Sequence, residues 1–154
     1  MGALRIALGW ILFWAFLDKL FGFGFSTAPE NSWLNGVSPT TGFLKFGVSG
    51  IFAEVFNELA GNILVDILFM AALLLVGGSL ILGIGTKIAG YTGAILMFIL
   101  YLTNVPPLHN PVIDEHIIYL ICLVGIANFK SGHVLGLGKW WSETRIVKRF
   151  PILE

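Results

Sequence analysis

Four long apolar segments constrain the fold of this 154-residue chain more than any other feature of its sequence. About 20 consecutive apolar residues are needed to cross the hydrocarbon core of a bilayer as a helix. Segments close to that length cover residues 3–21, 62–82, 87–103 and 112–129. The third and fourth are short, and a thinner bilayer or snorkelling flanks would absorb the mismatch. The sequence therefore predicts an all-α membrane protein, a single domain over 1–154 that forms a bundle of four transmembrane helices.

Composition points the same way and excludes several classes of function. The chain is 56% hydrophobic and only 12% charged, whereas soluble domains carry about 25% charged residues. The formal net charge is zero, so nothing suggests a nucleic-acid partner. Cys122 is the single cysteine, which excludes an internal disulfide, a CxxC redox pair and a thiolate zinc site. Although the N-terminal segment resembles a signal peptide, no small-residue cleavage site follows it, and we expect a retained helix.

The connections between the four segments differ in length. A tight turn over 83–86 makes the second and third helices an antiparallel hairpin. Prolines interrupt the link 104–111, where Asn110 and Pro111 suit the cap and first turn of the fourth helix. The first link, 22–61, is predicted as a long outer loop with a short amphipathic helix. The apolar face of that helix comprises Ile51, Phe52, Val55, Phe56 and Leu59.

Charge placement predicts the orientation of the chain. With four spans, both termini and the 83–86 turn lie on one side of the membrane. That side has two acids, Glu143 and Glu154, and seven basic residues: Arg5, Lys87, Lys130, Lys139, Arg145, Lys148 and Arg149. The positive-inside rule therefore predicts a multi-pass cell-membrane protein with cytoplasmic N- and C-termini. Within the cytoplasmic tail, 130–154, the segment from Lys139 is expected to anchor on the inner leaflet, although it also suits a partner.

Ionisable residues gather at the predicted outer helix ends. They are Asp18 and Lys19 in the first helix, Asp66 in the second, and His109, Asp114, Glu115 and His116 around the start of the fourth. Ionisable groups at membrane depth are costly, so they are commonly paired and functional. The competing interpretation is structural, because acids near a helix N-terminus are stabilised by the helix dipole. Both interpretations remain open at this point.

Three further residue patterns have simple interpretations. A histidine beside an acid, as in Asp114 and His116, suits proton exchange near neutral pH. The same cluster matches no metal-ligand spacing, so no metal site is predicted. Arg5 is about 20 Å from Asp18 along a helix, and we expect it to snorkel to inner-leaflet phosphates. The small residues Gly77, Gly78, Gly90 and Gly93 predict close helix packing.

Short matches along nearly the whole chain resemble the DoxX/DoxD family of small membrane proteins. The clearest is the first helix, with Leu4-Arg5-Ile6-Ala7-Leu8-Gly9-Trp10 and Phe16-Leu17-Asp18-Lys19-Leu20-Phe21-Gly22. Other matches are Trp33-Leu34-Asn35-Gly36, Ser38-Pro39-Thr40, Leu82-Gly83-Ile84-Gly85, Asn110-Pro111 with Asp114 and His116, and Leu135-Gly136-Leu137-Gly138-Lys139-Trp140-Trp141. The resemblance is specific for membrane topology and much weaker for chemistry.

The resemblance implies a four-helix membrane bundle and a quinone-linked role. DoxD is a subunit of thiosulfate:quinone oxidoreductase, where it works with a second subunit, DoxA. For this chain the resemblance implies an outer-facing pocket with side chains that handle protons or anchor a quinone carbonyl. These are Asp18, Lys19, Asp114 and His116. The implied quinone-binding aromatic residues are Trp10, Trp14, Trp33 and Tyr119. A DoxA-like subunit, another membrane protein or a second copy of the chain would be the partner in the bilayer.

Two other functions compete with the quinone-linked one. A non-enzymatic membrane adaptor or lipid-binding protein would dock a partner through the apolar outer loop. A transporter fits less well, because four spans without an inverted repeat or a broken helix make a poor carrier. Thiosulfate itself meets an electrostatic obstacle. The outer side carries seven acids against Lys19 and Lys45, which repels an approaching dianion.

Overall fold

The computed structural model describes all residues, 1–154, and its regular secondary structure is entirely helical, without a β-strand. The prediction of an all-α chain is therefore confirmed. The helices are α1 (Gly2–Phe21), α2 (Ala53–Glu58), α3 (Ile63–Leu82), α4 (Thr86–Leu102), α5 (Glu115–Asn128), α6 (Gly138–Ser142) and α7 (Arg145–Arg149). Short 3₁₀ turns at Pro29–Asn31, Trp33–Asn35, Ser131–His133 and Pro151–Leu153, and a π-helical turn at Phe43–Gly47, complete the fold.

The long helices α1, α3, α4 and α5 fall on the four apolar segments, and α2 falls on the predicted amphipathic face. One boundary differs. Asn110 does not cap α5; its side chain accepts hydrogen bonds from the backbone N–H groups of Val112 and Ile113 in a separate turn. The cap is Asp114, whose carboxylate accepts from the N–H of Ile117 at 3.2 Å. Asp114 competes better because an ionised carboxylate interacts favourably with the positive end of the helix dipole.

The long helices pack in an open series. α1 packs on α3, α3 on α4 and α4 on α5, whereas α5 makes few contacts with α1. The buried core between them includes Met70, Leu73, Leu80, Leu123 and Ile126. The series leaves a gap along one side of the bundle, between its first and last long helices.

Glycines set the close approach of neighbouring helices. A Cβ atom at Gly77 would lie 2.6 Å from the backbone nitrogen of Phe13 on α1, and one at Gly90 would lie 2.7 Å from the Cβ of Ala127 on α5. Gly93 meets Val76 in the same way. A Cβ at Gly78, by contrast, would meet nothing within 4 Å. The packing prediction is therefore wrong for Gly78, which lies on the other side of the helix.

One helix, α3, is long and apolar enough by length and composition to cross a membrane. α1 has the same length of 20 residues but carries three ionisable side chains, Arg5, Asp18 and Lys19. α4 and α5 are apolar but have only 17 and 14 residues. At 1.5 Å per residue, α5 extends about 21 Å, less than the ~30 Å hydrocarbon core.

Arg5 defines one end of the bundle, called here the Arg5 end. Its guanidinium is completely buried and donates to the carbonyls of Leu80 and Ile81 at the end of α3, and to those of Val134 and Leu135 after α5. The predicted snorkelling of Arg5 is therefore wrong. The carbonyls at a helix C-terminus lack partners within the helix, and a guanidinium with five donors can satisfy several of them at once.

The segment after α5 folds back onto the Arg5 end. The indole N–H of Trp141 donates to the carbonyl of Leu153 at 2.6 Å. Lys130 Nζ and His133 Nε2 lie 2.9 and 3.1 Å from Glu154 Oε1. The hydrogen bond from Lys130 is the main reason that the pKa of Glu154 lies below its usual value. The opposite end, where α5 begins, is called here the His116 end.

Candidate functional site

Asp18 holds the outer loop rather than facing a cavity. Its carboxylate is 1% exposed and accepts hydrogen bonds from the backbone N–H groups of Phe25, Ser26 and Thr27 at 3.3, 2.9 and 2.9 Å. The hydroxyl of Ser26 adds a fourth at 2.7 Å. Because both oxygens are bound and the side chain is buried, Asp18 is not open to a ligand. We therefore leave Asp18 out of the site and assign it to the loop.

Asp66 ties a second part of the same loop to α3. It is buried and accepts from the hydroxyls of Ser38 and Thr40 at 2.8 and 2.5 Å. With two carboxylates fixed to it, the loop lies across the His116 end of the bundle. The loop segment around Thr40 and Phe43 thereby becomes one wall of a cavity.

This outer cavity has a volume of about 310 Å³ and is the best candidate for a binding site. Two ionisable side chains line it, Lys19 from α1 and His116 from α5. Two hydroxyl residues, Thr40 and Thr103, also line it. The rest of the wall is apolar: Pro39, Phe43, Leu44, Phe56, Leu59, Val65, Phe69, Leu96, Ile99 and Leu100. An apolar cavity with a few polar groups is the usual character of a small-molecule site.

The imidazole of His116 is oriented by Asp114. Nδ1 of His116 lies 2.8 Å from Oδ2 of Asp114, while Oδ1 of Asp114 accepts from the N–H of Ile117. An ionised carboxylate can only accept, so Nδ1 carries the proton of this bond. In a neutral imidazole Nε2 is then left with a lone pair, able to accept a hydrogen bond or a proton from a ligand.

Lys19 supplies the cationic donor in the cavity. It is half-buried and is in none of the ion pairs of the structure, which join His116 to Asp114 and Glu154 to Lys130 and His133. A lysine has three N–H donors and no acceptor. Lys19 and His116 thus offer a ligand one donor and one acceptor inside a largely apolar cavity.

The acidic cluster at the start of α5 is used as a cap. Ligand atoms of Asp114, Glu115 and His116 lie within 4.8 Å of one another. Both oxygens of Asp114 and the Nδ1 of His116 already bond to each other or to the backbone. A metal ion would have to displace those bonds.

The four aromatic residues implied by the resemblance lie in three different places. Trp10 and Trp14 stack at 5.8 Å between ring centroids, and Trp10 is 53% exposed on the outside of α1. Trp33 packs against the buried core. None of these three lines the outer cavity. Tyr119 lines a neighbouring cavity that it shares with His116.

Several cavity residues were not among the predicted site residues. Phe56 and Leu59 belong to the amphipathic face around α2, which signals packing against the bundle but not a ligand. Phe69 and Thr103 lie on α3 and just after α4, where nothing in the local sequence distinguishes them from ordinary packing. Only the packing of the helices and the loop places them beside Lys19 and His116.

Comparison of the chain with family models, with curated proteins and with solved structures finds no match to any of them.

Proposed function

We propose that the chain is a four-helix membrane protein, similar to DoxX/DoxD proteins, that binds a quinone in the outer cavity. It would act as the membrane subunit of a quinone-linked oxidoreductase of the thiosulfate:quinone type. The observation that carries this proposal is the pairing of Lys19 and His116 in one apolar cavity of about 310 Å³.

Outward-facing apolar side chains support the membrane part of the proposal. Each long helix exposes aliphatic residues near its middle, including Ile11 on α1, Leu75 on α3, Ile95 on α4 and Ile121 on α5. Their exposed fractions are 47, 66, 61 and 58%. Soluble monomers rarely expose contiguous apolar patches larger than about 300–600 Å². A belt on all four helices is better explained by lipid around the bundle.

Charge at the two ends supports the orientation. Lys87, Lys130 and the basic tail lie at the Arg5 end, and the acids of the loop and of α5 lie at the His116 end. The positive-inside rule then places both termini in the cytoplasm and the outer cavity on the opposite side. Single cysteines in a Cys122→Ser background test this arrangement. Intact cells should label Glu58→Cys with an impermeant maleimide, and Arg145→Cys only after lysis. Labelling of both in intact cells would refute the topology.

The chemistry of the cavity matches a quinone head group. The ring fits among Phe43, Phe56 and Phe69, Lys19 donates to one oxygen, and Nε2 of His116 accepts from a hydroxyl of the reduced form. Reducing a quinone requires electrons as well as protons. The chain contains no electron carrier of its own, so a DoxA-like partner subunit would supply the electrons from its own substrate.

A binding experiment tests the proposal directly. Protein purified in mild detergent should carry a near-stoichiometric quinone, detected by mass spectrometry of the organic extract. His116→Ala and Lys19→Met should each lose it. His109→Ala and Lys45→Met are matched controls, because both residues are exposed and line no part of the outer cavity. Phospholipid alone in the extract of every variant would refute the quinone proposal.

A second candidate function is a membrane adaptor that docks a partner through its outer loop. Phe46 and Ile51 in the loop and Leu108 after α4 are 87, 71 and 82% exposed. Such side chains at the His116 end would suit a protein partner. An adaptor would copurify with that partner, without bound quinone, and Phe46→Ser with Ile51→Ser would release it.

A further inference from the structure

A second cavity lies in the gap between α1 and α5. It has a volume of about 190 Å³ and is called here the side groove. α1 contributes Leu8, Ile11 and Ala15 to its wall, and α5 contributes Tyr119 and Leu123. Apart from His116, its lining is apolar or aromatic. The groove exists because α1 and α5 are the two neighbouring long helices that do not pack closely.

The side groove adjoins the outer cavity. Phe69, Leu100 and His116 line both of them. His116 therefore lies between a cavity with several polar groups and a groove whose wall is largely apolar. A ligand bound beside His116 in the outer cavity therefore has a largely apolar space next to it.

The groove also reaches the outer surface of the bundle. Ile11 lines it and is 47% exposed, and it lies midway along α1 (Gly2–Phe21). In a membrane-spanning bundle this depth corresponds to the hydrocarbon core. A polar solute could not approach through hydrocarbon without losing its hydration, whereas an apolar chain would meet a similar environment on both sides.

We infer that the side groove holds the apolar chain of an amphiphile whose head group occupies the outer cavity, and that this molecule enters sideways from the bilayer between α1 and α5. The inference rests on the proposed function and adds the route and the class of ligand. The ligand is a membrane-borne molecule with one hydrogen-bonding head and one long chain. A water-soluble metabolite would leave the groove without an occupant.

Filling the groove from its open side tests the inference. The probes are a benzoquinone without a side chain and the same benzoquinone with a decyl chain, titrated into protein in nanodiscs. In Ile11→Trp the decyl probe should bind at least about tenfold more weakly. A blocked chain loses its packing against the groove wall and stays in the bilayer, so the probe is held by its head group alone. The tail-less probe should bind within about twofold of its affinity for wild type, because it occupies only the outer cavity, which Ile11 does not line.

The matched control is Ile95→Trp, which adds the same bulk at an exposed position of α4 that lines neither cavity. It should change neither affinity. If Ile11→Trp does not fold, Ala15→Leu fills the same groove with a smaller side chain.

The outcomes separate the two proposals. Equal binding of the decyl probe to wild type and Ile11→Trp would overturn the side groove while leaving the outer cavity as a quinone site. Equal loss of both probes would also overturn it, because the groove would then not be a separate route. Failure of wild-type protein to bind the tail-less probe would refute the quinone site itself.

Discussion

Nδ1 of His116 lies 2.8 Å from Oδ2 of Asp114, so the residue that caps α5 also fixes the imidazole that lines both cavities. One carboxylate thus performs a structural task with Oδ1 and a positioning task with Oδ2. The two tasks can be separated by substitution, because capping needs only an acceptor whereas holding Nδ1–H strongly needs a charge.

We predict that Asp114→Asn keeps the fold but weakens quinone binding about tenfold, in line with the loss of a charge-assisted orienting bond. Asp114→Ala should also destabilise the protein by about 1 kcal/mol, because the cap is lost. Thermal unfolding and quinone titration measure the two effects. Equal quinone affinity in Asp114→Asn and wild type would contradict the positioning role. Glu115→Gln, at the exposed neighbour, is the control.

Asp18→Ala should reduce stability by about 3 kcal/mol or more, because three buried or half-buried loop N–H groups lose their acceptor. The folded fraction should still bind quinone with unchanged affinity. Glu30→Ala, at an exposed acid of the same loop, should change neither property. A variant Asp18→Asn of normal stability that no longer binds quinone would instead return Asp18 to the site.

Arg5→Lys should destabilise the bundle by about 2 kcal/mol or more although the charge is retained. A single ammonium cannot reach carbonyls of both α3 and the segment after α5, so buried acceptors are left unpaired. Arg145→Lys, at an exposed position of α7, serves as the control. Thermal unfolding in detergent gives the unfolding temperatures of both variants. Equal unfolding temperatures for Arg5→Lys and wild type would mean that Arg5 does not hold the two segments together.

Adjacent glycines give a sharp packing test. Gly77→Ala should cost about 1–3 kcal/mol, because the new methyl overlaps the backbone of α1. Gly78→Ala enters open space and should be neutral or stabilising by up to about 1 kcal/mol, from higher helix propensity. The free energies of unfolding of the two variants, measured in parallel by denaturation, test this prediction. Similar stabilities would indicate that α1 and α3 are further apart than the structure places them.

Acidification should release the C-terminal segment that Glu154 holds against Lys130 and His133. The pKa of Glu154 is held below its usual value, chiefly by the hydrogen bond from Lys130. The ionised form is therefore favoured in the folded state, and its contribution is present above the ordinary glutamate pKa and lost as the pH falls through the folded value. Limited proteolysis between α6 and α7 should accelerate in that acid range. Glu154→Gln should be cleaved faster at neutral pH, with little further change on acidification.

The helices were predictable from the sequence, whereas the roles of the charged residues were not. Apolar length specifies α1, α3, α4 and α5, and the periodicity around Phe56 specifies α2. Arg5 was misjudged because its partners are backbone carbonyls of distant segments. The contacts of Asp18 with residues 25–27 also depend on loop geometry, which local sequence does not specify. The cavity that Lys19 and His116 line also depends on the loop, whose Thr40 segment is held by Asp66. Only the contact between Asp114 and His116 had a local signal in the sequence. Asp114 caps α5 and His116 is the second residue of that helix, so the two are close in sequence.

The open series of helices has a mechanical consequence. Arg5 fastens α1 to both the end of α3 and the segment after α5, whereas no comparable fastening joins α1 to α5 at the other end. Any separation of these two helices is therefore smallest at the Arg5 end and largest near His116. The hydrogen bonds of Arg5 restrain the helices at the basic end of the bundle and leave them free to separate where the two cavities meet.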